Sequence, residues 1–139
     1  MGNMTVTHRA EALFSYLSEL RARPLAFRPG RFDCALFAAG WVKHLTGCDP
    51  AEEWRGTYRN LSDGRQRLAR AGFSDLSDVV AYHAPQIEGW HASQPGDIAA
   101  LVEDGETALG IIGGPQIHVL TPTGLDYVHL GRAIRVFRP

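Results

Sequence analysis

Residues 31–45, RFDCALFAAGWVKHL, place an aspartate and a cysteine at the mouth of an apolar run. Cys34, Phe37, Ala38, Trp41, Val42 and Leu45 fall on one broad helical face, so the spacing predicts a central, buried helix. Asp33 can accept bonds from its first unpaired N–H groups, and Gly47 with Pro50 closes it. The cysteine thus opens the helix, where free N–H groups and the positive end of the macrodipole favour thiolate over thiol. The charge of Asp33 works the other way unless capping consumes its carboxylate. Free cysteine is also among the most buried residue types, so position alone leaves two readings open, a nucleophile and a small core residue.

Working outward, Ala10, Leu13, Phe14, Leu17 and Leu20 recur at helical spacing ahead of this segment, with Thr7 as a cap and Pro24 as the stop. Beyond it, LSDGRQRLARAG (61–72) and SDLSDVVAYHA (74–84) read as two shorter helices capped by Ser62 and Ser74, the first ended by Gly72. The second half changes period. GDIAALV, ALGII, QIHVL, LDYVHL and AIRVF are β-rich runs separated by EDGE, GGP and TPTG, which is turn chemistry. Helices followed by an antiparallel meander predict an α+β fold over residues 1–139, one domain, with the cysteine-bearing helix packed on the sheet.

The 139 residues are 45% hydrophobic and 21% charged, with a net charge of −1. These are globular values, and they give no general attraction for nucleic acid or an anionic membrane surface. The basic stretch RARPLAFRPGR (21–31) lacks a glycine-rich cradle and reads as a solvated loop. If residues 34–45 are helical, Cys34 and Cys48 lie roughly 18 Å apart, too far for the Cα separation of about 7 Å that a disulfide allows. Both thiols are expected free, which suits a reducing compartment. The N-terminus has His8, Arg9 and Glu11 where a signal peptide would be apolar, and Cys34–Val42 is far short of the ~20 residues of a membrane span. The chain reads as soluble, without membrane insertion.

FDCALF opening a helix, then QPGDIAALV, then ALGIIGGPQIHVL, resembles the NlpC-type papain-like cell-wall peptidases. Those chains carry Asp-Cys-small at the start of a helix, Pro-Gly-Asp at the start of the first strand, a catalytic histidine in a His-x-Gly-Ile strand, and a second polar residue on the next strand. DCALFAAGWVKHLTGCDPAEEWRGTY and the ending AIRVFRP are similar to an uncharacterised branch of that superfamily found in phages, prophages and gene-transfer agents beside tail-tip genes. The resemblance runs from about Phe27 to Phe137 and implies a papain-like, NlpC-type fold. It places Cys34 at the nucleophile, with Asp33 and Asp97 beside the substrate path, and His118 near the third triad member. The base position, two residues before Gly110, holds Ala108, and alanine cannot accept a proton.

Other histidines could serve. His118 shares a strand face with Leu120, opposite Ile117 and Val119, and is the candidate base or a hydrogen-bonded structural histidine. His44 lies some 15 Å along the same helix and is excluded. His91 precedes the first strand and could reach the site only through its loop; His83, His129 and His8 read as structural. No Cys-x-x-Cys or His-x-x-x-His pairing supports a metal, and no phosphate loop is present, so no cofactor is implied. Trp41 belongs to the helix face, whereas Trp54 and Trp90 lie in loop-like segments where a partner contact competes with local packing.

The resemblance then implies a degenerate cell-wall-peptidase-like component of a phage or prophage tail tip, structural or peptidoglycan-peptide-binding. Its partners would be other tail-tip or baseplate proteins, and its location the bacterial host cytoplasm during assembly and the virion tail afterwards. The alternatives are an active cysteine hydrolase, a peptidoglycan endopeptidase using Cys34 with His118, and a non-virion interaction module on the same scaffold.

Overall fold

The computed structural model describes residues 5–23 and 25–139; Pro24, expected to stop the first helix, and residues 1–4 of the N-terminal segment lie outside them. Four helices, α1 (Val6–Ala22), α2 (Cys34–Thr46), α3 (Leu61–Arg70) and α4 (Leu76–His83), precede a six-stranded antiparallel sheet. Its strands are β1 (Gln86–Ile87), β2 (Ile98–Glu103), β3 (Glu106–Ile112), β4 (Gln116–Thr121), β5 (Gly124–His129) and β6 (Arg135–Phe137). The architecture is α+β, as the change of period predicts.

α2 forms where expected. Asp33 accepts the Leu36 N–H at 2.9 Å, and Gly47 ends the helix at φ 84°, a conformation that costs glycine little. Phe37, Ala38 and Trp41 are buried against the sheet, while Leu36 and Ala39 pack with Ala51 and Trp54 on the other flank. α2 is therefore covered on two sides.

The other caps differ from expectation by a residue or two. Thr5, not Thr7, caps α1; Asn60, not Ser62, caps α3; and Asp75, not Ser74, caps α4. In the last two cases an amide or carboxylate outcompetes a nearby hydroxyl as acceptor. The buried face of α1 is also rotated. Arg9, Leu13, Tyr16 and Leu17 face inward, whereas Ala10 is exposed and Phe14 is 72% exposed. Tyr16 displaces Phe14 because its hydroxyl can donate to the Phe37 carbonyl at 2.7 Å while its ring stacks on Phe37.

Strands β2 to β5 form the expected meander, but the chain then leaves it. β6 returns to lie between β2 and a short strand, β1, that the sequence reading omits, giving the order β1-β6-β2-β3-β4-β5. Alternation sorts the sheet residues onto two faces. Ile98, Ala100, Leu109, Ile111, Leu120 and Phe137 meet the helices; Ala99, Leu101, Ile112, Ile117 and Val136 form a second cluster with Trp90 and Leu130.

On that second face β4 crowds Gly110: an added Cβ would lie 2.5 Å from Ile117 Cγ2 and 2.8 Å from the His118 carbonyl oxygen. Backbone cannot yield as a side chain can. Gly110→Ala should therefore destabilise the fold by about 1–3 kcal/mol, read as a lower urea midpoint at unchanged slope; an unchanged midpoint would refute the close approach.

Candidate functional site

The site is the start of α2 where it crosses β3. β2 and β3 pair over six residues and so do β4 and β5, but β3 and β4 pair only at Ile111–His118 and Ile112–Ile117. Beyond Ile111 the two strands fork. The Leu109 N–H, outside the β3–β4 ladder, and the N–H groups of Cys34 and Ala35 at the helix start lie close enough to the thiol to favour its charged form. The thiol thus sits at the fork, with backbone N–H groups of helix and strand nearby.

Donors favour the thiolate, yet burial wins. The Cys34 thiol is pushed from 9.0 up to about 11, chiefly by burial, with the adjacent Asp33 charge adding to the rise and the three N–H groups opposing it. At pH 7 this leaves a thiolate fraction of about 10⁻⁴. Helix-start activation, favourable in principle, is outweighed.

Asp33 is buried and committed. Besides the Leu36 N–H, its carboxylate accepts the Gly30 N–H at 3.0 Å and the Tyr58 hydroxyl. Asp97, expected beside the substrate path with Asp33, is fully buried as well. It accepts Arg9 at 3.0 Å, Arg138 Nε at 3.0 Å and a second Arg138 nitrogen at 2.9 Å, together with the Gln94 N–H at 2.8 Å. Neither carboxylate is free to meet a substrate; both hold the backbone. The Pro-Gly-Asp stretch is a joint for the same reason: Gly96 adopts φ 90°, accepts the Trp41 indole N–H at 2.7 Å, and leaves no room for a Cβ, which would meet Trp41 at 2.8 Å.

Ala108 occupies the face away from Cys34, packed with the second cluster, so strand parity makes Leu109 the β3 residue that confronts the helix. A histidine at 108 on this register would point away from the thiol. Position 109 is the one whose side chain matters there, and it is leucine.

His118 does lie on the helix side, with Leu120, as its alternation predicts. Its ring leans over Gly113, where an added Cβ would run into Nε2. His118 pairs with Ile111, two residues or about 7 Å along β3 from Leu109, and the ring leans from there toward the hairpin end, away from the fork. No hydrogen bond joins His118 to Cys34 among the described residues. Burial, with the Arg21 charge as a smaller contribution, lowers the His118 pKa.

Tyr58 is the residue that sequence reasoning missed. Its hydroxyl reaches Asp33 beside Cys34, and burial, the Asp33 bond and the Asp33 and Cys34 charges raise its pKa far beyond neutrality. It is a fixed donor and cannot take a proton. The available signal was indirect: a capping aspartate has a second oxygen to satisfy, and Gly30, whose carbonyl accepts the Gly56 N–H, ties the Tyr58 loop to the helix start.

The remaining candidates are apart from this site. His91 stacks on Trp90 at 3.8 Å, His44 packs against Tyr16 and Trp41, and His129 Nδ1 accepts the Gly131 N–H. Cys34 and Cys48 are both free thiols. Among the described residues no three His, Cys, Asp or Glu side chains cluster as a metal site, and no helix is long and apolar enough to cross a membrane.

Residues 4–139 match the model of a family described as a domain of unknown function, DUF6950. The chain belongs to that family. No curated protein matches the chain.

Proposed function

We propose that this DUF6950 chain is a papain-like, NlpC-type domain of a phage or prophage tail tip, retained as a structural or peptidoglycan-peptide-binding part and not as a hydrolase. One observation carries the reading. A cysteine opens the helix that crosses an antiparallel sheet, the arrangement a papain-like nucleophile requires, but the strand residue facing it is Leu109 and, among the described residues, no base is bonded to it. Proton transfer from a positioned base is typically worth 10² to 10⁴ in rate, and a thiol near 11 has little thiolate to compensate with. Helix N–H groups could still orient a peptide carbonyl, which supports binding without cleavage. The tail-tip context, with other tail-tip or baseplate proteins as partners, comes from the family resemblance and is an analogy at the level of fold.

The test is direct. Purified protein incubated with muropeptides is expected to leave them intact, and Cys34→Ala is expected to assemble into particles as the unaltered chain does. Cleavage that Cys34→Ala abolishes would overturn the proposal in favour of an active peptidoglycan endopeptidase. A gene neighbourhood and particle content free of virion proteins would instead favour an interaction module unrelated to tails.

A further inference from the structure

The sheet ends in two unlike edges. On one side stands β1, only two residues long; on the other stands β5, six residues paired to β4 alone. A long edge strand offers a row of unused backbone N–H and C=O groups to any strand that meets it. β5 is therefore the place where this chain is most open to pairing with another.

The ladder fixes which groups are on offer. The Gln116 carbonyl accepts the Gly113 N–H from the β3 side, so by alternation Ile117 and Val119 bond toward β5. Their partners there are Val128 and Asp126, which leaves Leu125, Tyr127 and His129 directing N–H and C=O outward. The central donor of these three is already taken. The Tyr127 N–H donates to the carboxylate of its own neighbour, Asp126, at 2.8 Å. Asp126 and Tyr127 are both exposed, so this bond satisfies nothing that water would leave unsatisfied. What it does is put a negative oxygen where the carbonyl of an incoming strand would have to sit.

We propose that Asp126 is a guard on β5, its carboxylate closing the edge to a second copy of this chain. Laid antiparallel with Tyr127 opposite its counterpart, two β5 strands set Leu125 against His129 and use all three outward residues of each copy. A second copy also brings its strand already extended, whereas a free peptide loses conformational freedom on binding. β1 is too short to extend such a pairing, so association through β5 stops at a dimer. The guard is independent of the Cys34 reading.

Sedimentation velocity across a micromolar-to-millimolar series tests the assignment. Asp126→Ala, a surface change, is expected to dimerise with a dissociation constant lower than that of the unaltered chain by about tenfold or more, the worth of a hydrogen bond to a charged group that pairing no longer has to break. In the variant, exchange of the Leu125, Tyr127 and His129 amides should slow as concentration rises. The amides of Asp126 and Val128, already bonded to β4, should not change with concentration. An Asp126→Ala chain no more associated than the unaltered one, species larger than a dimer, or association that leaves the three outward amides unprotected would each overturn the proposal.

Discussion

Asp97→Ala should be the most destabilising single substitution at the strand-opening joint, lowering stability by about 3–5 kcal/mol and Tm by roughly 10–15 °C. The carboxylate is fully buried and Arg9 nearly so, their ion pair closing at 3.0 Å. Removing the acid strands a guanidinium in the interior, which costs more than the pair itself contributes. Arg138 reaches the same carboxylate at 2.9 Å, but its side chain stays partly in water. Arg138→Gln should therefore cost distinctly less, because Asp97 keeps Arg9 and the Gln94 N–H. Urea unfolding of both variants decides the matter. A loss below about 1 kcal/mol in Asp97→Ala would mean that the acid behaves as a surface charge.

Cys34 should alkylate slowly, and its rate should climb with pH without levelling before about pH 10. Measured in a Cys48→Ser background, the site carries about a hundredfold fewer thiolates below pH 9 than a thiol of ordinary acidity, given the rise from 9.0 to about 11. The more basic thiolate is intrinsically more nucleophilic and recovers up to about tenfold, so for this half-buried thiol a net slowing of about tenfold remains. The same rise sets a stability trend. The unfolded chain loses this proton first, so stability supplied by the neutral thiol is complete below pH 9 and is lost as pH rises toward 11. Cys34→Ala should flatten that alkaline limb. A rate already at plateau below pH 7 would instead reveal a thiolate paired with a cation, and would sink the reading of an idle nucleophile.

The parts that local chemistry decides were legible in the chain. α2 could be read because its cap, its apolar face and its terminating glycine are neighbours in sequence. The β2–β5 meander could be read because each turn announces itself. What escaped depends on distant partners. Arg9 is buried only because Asp97, 88 residues away, receives it, so counting apolar letters on α1 selected Phe14 in place of Arg9 and Tyr16. β1 is two residues long and exists only because β6 returns to it. At the site, the thiol's position followed from the Asp33 cap, and the helix-side face of His118 followed from alternation. The roles of Asp33 and Asp97 did not, because their bonds come from loops and from the far end of the chain. Nor did the parity of Ala108, since the register of β3 is set by pairing that no single strand displays.

The place of β6 inside the sheet governs how the chain can be made. Residues 135–137 bridge β1 and β2, and Arg138 and Pro139 bind Asp97 and Arg9 respectively. A ribosome delivers these residues after everything else described here, so the first helix has to wait for its ionic partner's clamp until synthesis has passed residue 139. At 5–20 residues per second the stretch from the end of β2 to β6 takes about 2–7 seconds, during which β2 presents a bare edge to any other extended strand nearby.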